Sequence, residues 1–159
     1  MTRLLLFGYG NPGRGDDVLG PELIERIARL NFDGVECQND MQLQVEHITD
    51  LTGRNQILFV DADMSCAEPF YFSEITAEKD GSYTSHYMSP AALLHTYRQV
   101  YGEAAPQTFL LRIRGYGFEL GDSLTDRAAA NLEEATRLVR DWCAEGKITF
   151  TCHPPALER

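Results

Sequence analysis

Basic residues are scarce in this chain: 14 Lys and Arg stand against 24 Asp and Glu, a formal net charge of −10. That balance opposes the phosphate tracking behind most nucleic-acid affinity, and it opposes an anionic membrane surface as well. The four cysteines, Cys37, Cys66, Cys143 and Cys152, form no Cys-x-x-Cys pair, which removes a zinc ribbon and a thioredoxin-like redox motif and leaves free cytosolic thiols as the expectation. No apolar run approaches the roughly 18 residues of a membrane span, and the first residues show no charged-then-apolar pattern with a small-residue cleavage site. A cytoplasmic protein is expected. No Ser-His-Asp arrangement stands out, and the cysteines read as small buried hydrophobes, so nucleophilic catalysis lacks a candidate. Repeats, low-complexity tracts and internal linkers are missing too. The 159 residues suit one domain, assigned to 1–152 with a flexible tail over 153–159. Every amphipathic stretch has a place in one core, which makes a monomer the expected state.

What is there centres on Gly8-Tyr9-Gly10-Asn11-Pro12-Gly13-Arg14-Gly15-Asp16-Asp17-Val18-Leu19-Gly20, directly after the apolar run Leu4-Leu5-Leu6-Phe7. A short apolar run ending in clustered glycines reads as a buried strand opening into a tight loop before a helix. That helix is predicted over Pro21–Leu30, with Leu23, Ile24, Ile27 and Leu30 facing inward. A strand over Val35–Gln38, a helix over Leu43–Leu51 stopped by Gly53, and a strand over Ile57–Val60 follow. Phe70–Ile75 reads as an antiparallel strand because only a short connection precedes it. Ser89 is a suitable cap for a helix over Pro90–Tyr101 with Leu93, Leu94, Tyr97 and Tyr101 on one face. Beyond the strand Phe109–Ile113, Asp122-Ser123-Leu124-Thr125 leads into a long helix to about Cys143 that packs Ala129, Leu132, Ala135, Leu138 and Trp142 inward. Ile148–Thr151 is a short edge-strand candidate.

Alternating strands and helices predict an α/β chain: a three-layer α/β/α sandwich with a mostly parallel sheet of about five strands, phosphorylase/hydrolase-like. The commonest order sets the third strand beside the first. Asp17 and Asp61 then stand at the ends of strands about 4.8 Å apart, at the topological switch point where open sheets bind ligands.

Gly8-x-Gly10-x-x-Gly13 also matches a dinucleotide fingerprint, with Asp40 where a ribose-binding acid would sit. Against it, Pro12 interrupts the turn and Asp16 and Asp17 bring negative charge beside a pyrophosphate. Each acid has a bland role open to it as well. Asp17 suits a helix N-terminus, Asp61 a loop cap, and His86 a surface or capping histidine. His47 and His95 fall within predicted helices and His153 in the tail, where they read as structural or exposed.

Gly-Tyr-Gly-Asn-Pro-Gly resembles the opening of peptidyl-tRNA hydrolases, but Gly15-Asp16-Asp17-Val18 stands where that family carries its catalytic histidine. A fuller resemblance is to the hydrogenase maturation endopeptidases. It rests on Gly8-Tyr9-Gly10-Asn11 with Asp16-Asp17 and Gly20, on Val60-Asp61-Ala62, and on Ser85-His86-Tyr87-Met88-Ser89-Pro90, in that order across most of the chain. Arg114-Gly115-Tyr116-Gly117-Phe118-Glu119-Leu120-Gly121 resembles members that serve soluble or bidirectional hydrogenases. Three departures stand out: Asp17 where the family often has Glu, Val18 for a frequent glycine, and Asp40-Met41-Gln42-Leu43 for a Gly-Gly-Thr loop.

The resemblance implies an endopeptidase of the aspartyl-protease class that trims the C-terminal extension of a nickel-iron hydrogenase large-subunit precursor. It implies Asp17, Asp61 and His86 as both catalytic residues and nickel ligands, with the nickel supplied by the substrate and no organic cofactor. Two carboxylates and an imidazole do suit a divalent first-row metal and leave coordination positions open. Asp16 and Asp63 are candidates to orient those ligands. A non-catalytic nickel-sensing or hydrogenase-assembly binding protein is the alternative from another class.

Overall fold

The computed structural model describes residues 3–79 and 88–146. Five strands form one sheet: β1 (Leu4–Tyr9), β2 (Val35–Asp40), β3 (Gln56–Asp63), β4 (Phe70–Ile75) and β5 (Gln107–Arg114), in the order β2-β1-β3-β5-β4. Pairs β1–β2, β1–β3 and β3–β5 are parallel, and β4 runs antiparallel along β5. The third strand does lie beside the first, so the order reverses at β1, and the carboxyl ends of β1 and β3 form the switch point where open sheets bind ligands.

Alternation along the strands divides the core in two. Leu4, Leu6, Leu58, Val60, Phe72, Phe109, Leu111 and Ile113 pack under α1 (Leu19–Ala28) and α3 (Asp126–Glu145). Leu5, Phe7, Ile57 and Phe59 pack against α2 (Pro90–Tyr101) and a 3-10 segment, Val45–Leu51, on the opposite face. These are the three layers predicted. Fully buried strands covered on both faces have no side chain to spare for solvent, which is why β1 and the first half of β3 read as unbroken apolar runs. Cys37, Cys66 and Cys143 are free thiols, and among the described residues no helix is long and apolar enough to cross a membrane.

The differences from the sequence reading have local causes. Helix α1 starts two residues early and stops at Ala28; Asn31 then adopts φ 51°, and Leu30 turns outward to 49% exposure instead of joining the core. The segment 45–51 winds as 3-10, capped at Gln44 by the His47 ring, whose Nδ1 accepts the Gln44 N–H at 2.9 Å while Nε2 meets Asp40 at 3.0 Å. His47 is therefore structural, and so is Asp40. In α3 the buried stripe is Ala128, Asn131, Leu132, Ala135, Val139, Trp142 and Cys143, with Ala129 and Leu138 only half-buried. Asn131 faces inward with its polar group satisfied: its Nδ2 donates to the Arg114 carbonyl and the Tyr116 hydroxyl. Tyr101 lies at the exposed end of α2, its ring 4.6 Å from that of Tyr97. Ser89 caps α2 as expected, accepting from Ala92 N–H. His86, the strand expected over Ile148–Thr151, and the tail lie outside the described residues.

Gly20 sets how closely α1 approaches the sheet. A Cβ there would sit 2.4 Å from the Val60 carbonyl and 3.0 Å from that of Tyr9. Alanine is normally the better helix former by about 0.8–1.0 kcal/mol. The contact with rigid backbone reverses the sign: Gly20→Ala should destabilise the fold by about 1–3 kcal/mol, as overpacking does. Urea unfolding of the two proteins measures this.

Candidate metal centre

The site begins with β-sheet register. Gly8 pairs with Val60, so Tyr9 and Asp61 emerge side by side at the carboxyl ends of β1 and β3. Both follow the alternation of Phe7 and Phe59, towards the α2 face. There the Tyr9 hydroxyl donates to the Asp61 carboxylate, whose Oδ1 also accepts the Ala62 N–H at 2.8 Å. The Tyr9 ring packs edge-on to Phe59.

Asp17 reaches the same place from the glycine-rich loop. A 3-10 turn, Gly15–Val18, carries it, and its Oδ2 accepts the Asn11 N–H at 2.6 Å. Gly10 makes that closure possible, since a Cβ on Gly10 would lie 2.0 Å from the Asp17 carbonyl oxygen. No side chain fits that gap.

The charge of Asp17 reaches Asp61. Burial is the largest influence on Asp61 and pushes its carboxyl up; the Ala62 N–H and Tyr9 hydroxyl act against it, while the charges of Asp17 and Asp63 add to it, and the pKa settles at about 7. Tyr9 is pushed well above its ordinary value by burial first, then by Asp61 and Asp17. A half-buried carboxylate crowded by a second one is an arrangement that a divalent cation neutralises. Asp17 and Asp61 are the acids that could serve as ligands to such a cation. Among the described residues no third His, Cys, Asp or Glu joins them as a metal-holding group.

Asp16 and Asp63 have other work. Asp16 is fully buried. Its Oδ2 accepts from Tyr116 N–H (2.7 Å), Gly117 N–H (3.1 Å) and the Thr125 hydroxyl (2.8 Å), and its Oδ1 from Thr125 N–H (2.8 Å). Burial alone would raise its pKa, but these donors outweigh burial and hold it below the ordinary carboxylate value. Asp63 caps the turn at Ser65 and Cys66 and pairs with Arg112 Nη1 at 3.0 Å. Burial again opposes, and the donors of Ser65 together with Arg112 win, so its pKa is lowered. Neither carboxylate is aimed at the pair formed by Asp17 and Asp61.

Tyr9 and Arg112 are the residues that the sequence reading passed over. Arg112 stands opposite Asp61 in the β3–β5 register and lies 4.7 Å over the Tyr71 ring. Strand alternation already placed Tyr9 on the face of Asp61, two residues beyond Phe7. The position of Arg112 depended on knowing that β5 neighbours β3.

Two outcomes follow from these charges. The folded chain holds a proton on Asp61 up to about pH 7, whereas an unfolded Asp releases it near 3.9. Between those values the folded state binds more protons, so stability contributed by this group falls as pH rises and is lowest above the folded pKa. Asp61→Asn should thus raise the melting temperature of the metal-free protein, by an amount that grows from pH 5 to pH 8. Asp16 has the opposite sign, being stabilising above its unfolded pKa and lost as pH falls through the depressed folded value. Asp16→Asn leaves an amide facing N–H donors and should cost at least about 2 kcal/mol at pH 7, read by urea unfolding, with faster amide exchange at Tyr116 and Gly117.

Comparison with family models finds no match, and neither does comparison with curated proteins. Solved structures do match. The nickel-iron hydrogenase maturation protease HycI of Thermococcus kodakarensis superposes with a TM-score of 0.71 at 19% identity, covering 90% of this chain and 93% of that one. The hydrogenase maturating endopeptidase HybD of Escherichia coli gives 0.72 at 22% identity, covering 91% and 94%. A hydrogenase 2 maturation peptidase of a Thaumarchaeota archaeon gives 0.65 at 22%, covering 91% and 99%. Over nine-tenths of its length, the chain has the fold of the hydrogenase maturation proteases.

Proposed function

We propose that this protein is a hydrogenase maturation endopeptidase: it removes the C-terminal extension of a nickel-iron hydrogenase large-subunit precursor after nickel has been inserted. The observation that carries the reading is the convergence of Asp17 and Asp61 at the switch point of this particular fold. Asp17, Asp61 and His86 recognise the nickel as part of the substrate. Their donor count supports nickel that arrives with the precursor, because two carboxylates and one imidazole leave a coordination sphere that structural metal sites would close with protein groups. Docking on that ion fixes the neighbouring peptide bond at the crevice, where positioning supplies rate. A metal in contact with the peptide carbonyl would also polarise it towards water. Within the chain, Tyr9 holds the Asp61 carboxylate in place and Asn11 holds that of Asp17, so that both oxygens are set before the substrate arrives.

Mass spectrometry of a nickel-loaded large-subunit precursor before and after incubation tests the reading. The expected result is loss of a C-terminal peptide, no loss from the matched nickel-free precursor, and no stoichiometric nickel in the isolated protein by elemental analysis. Asp17→Asn and His86→Ala should lower processing by more than about a hundredfold, beyond what loss of a ligand's supporting partner costs. Equal cleavage of both precursors would remove nickel recognition. An intact nickel-loaded precursor that nevertheless binds would make the protein a nickel-sensing assembly factor.

A further inference from the structure

Two rows of side chains cross the sheet on the α2 side. Phe7, Phe59 and Leu110 are register partners and pack into the core there. Two residues further along β1, β3 and β5, the row becomes Tyr9, Asp61 and Arg112, with Tyr71 of β4 paired to Arg112. Adjacent strands lie about 4.8 Å apart, so Arg112 flanks Asp61 on one side as Tyr9 does on the other. Its charge reaches the Tyr9 hydroxyl, where it works against the upward push of burial, Asp61 and Asp17. A cation thus stands in the same row as the acid of the site.

Asp63 does not account for this arginine. That carboxylate already accepts from the Ser65 N–H, the Ser65 hydroxyl and the Cys66 N–H. The dependence runs the other way: the 3.0 Å pair with Asp63 and the Tyr71 ring, 4.7 Å from the guanidinium carbon, fix where the guanidinium lies. Its side chain is nevertheless 32% exposed, so a substrate can reach it. A planar guanidinium held in advance loses little freedom when it meets an oxygen.

Peptide hydrolysis needs such a charge at one moment. Water adds to the carbonyl carbon, and the C=O π pair moves onto the carbonyl oxygen. When that pair returns, the C–N bond breaks and the leaving nitrogen takes the proton that water gave up. The oxygen is anionic only in between, so a fixed cation beside it stabilises the transition state more than the bound substrate. Asp17 and Asp61 carry the wrong sign for that task.

We infer that Arg112 is a catalytic residue: its guanidinium meets the carbonyl oxygen of the scissile bond and stabilises the negative charge that gathers there. The inference rests on the endopeptidase reading and adds to it the side of Asp61 on which the bond is cut, the side of β5.

Steady-state cleavage of the nickel-loaded precursor tests it. Arg112→Gln should lower kcat by about a hundredfold or more, as removal of one oxyanion donor does. KM should stay within about threefold, the pattern of an interaction made only in the transition state. Arg112→Met keeps an unbranched stem beside Tyr71 and gives the same reading should the Gln protein fail to fold. Asp63→Asn breaks the same ion pair but keeps the cation, and it should lose clearly less. An unchanged kcat, or an equal loss in Asp63→Asn, overturns the role of Arg112 and leaves the endopeptidase reading standing. A nickel-loaded precursor left intact by the parent protein overturns both.

Discussion

The arrangement of the site depends on one buried negative charge. Asp16 accepts four hydrogen bonds from the loop after β5 and from the residue that caps α3, and its own N–H donates to the Gly117 carbonyl. Gly15 N–H to Asp122 and Gly121 N–H to Gly13 extend the same stitching. A carboxylate in a dry interior is tolerated only when its oxygens are fully occupied, so this loop has a single way to sit. Asp17, the next residue, is consequently turned out to the crevice. Two neighbouring acids thus divide the labour: the first fixes the backbone, and the second presents its charge.

Local chemistry accounts for how much could be read in the sequence. Apolar runs of four residues bounded by glycine and acids identified β1 and β3, the Ser89-Pro90 pair identified the start of α2 to the residue, and strand–helix alternation led to the order β2-β1-β3. Leu30 misled because periodicity carries no record of where a helix stops; the turn at Asn31 decided it. The inner face of α3 was shifted because Asn131, polar by type, has partners there. The places of Asp61, near the carboxyl end of β3, and of Asp17, in the loop after β1, were legible from the apolar runs that precede them. The task of Asp16 was not, since its partners lie about a hundred residues further along and nothing near it in sequence announces them. His86 lies outside the described residues.

Like charges explain why such a site stays poised. The fold brings Asp61 near Asp17 and limits its access to water, and burial first and the neighbouring charge after it push its pKa up to about 7. Tyr9 and the Ala62 N–H offset part of it without removing it. Any group that neutralised the pair would recover part of that cost.

The Asp16 contacts span 100 to 109 positions of sequence, and among the described residues β4 pairs with β5 alone although β5 follows it by some thirty residues. Synthesis runs from the N-terminus, and domains fold as units as they emerge. The acidic loop is made within the first twenty residues yet waits for Thr125 before its backbone is set. A nascent or truncated chain thus carries Asp16 and Asp17 without the contacts that set their loop. That geometry arrives abruptly, with the last third of the polypeptide.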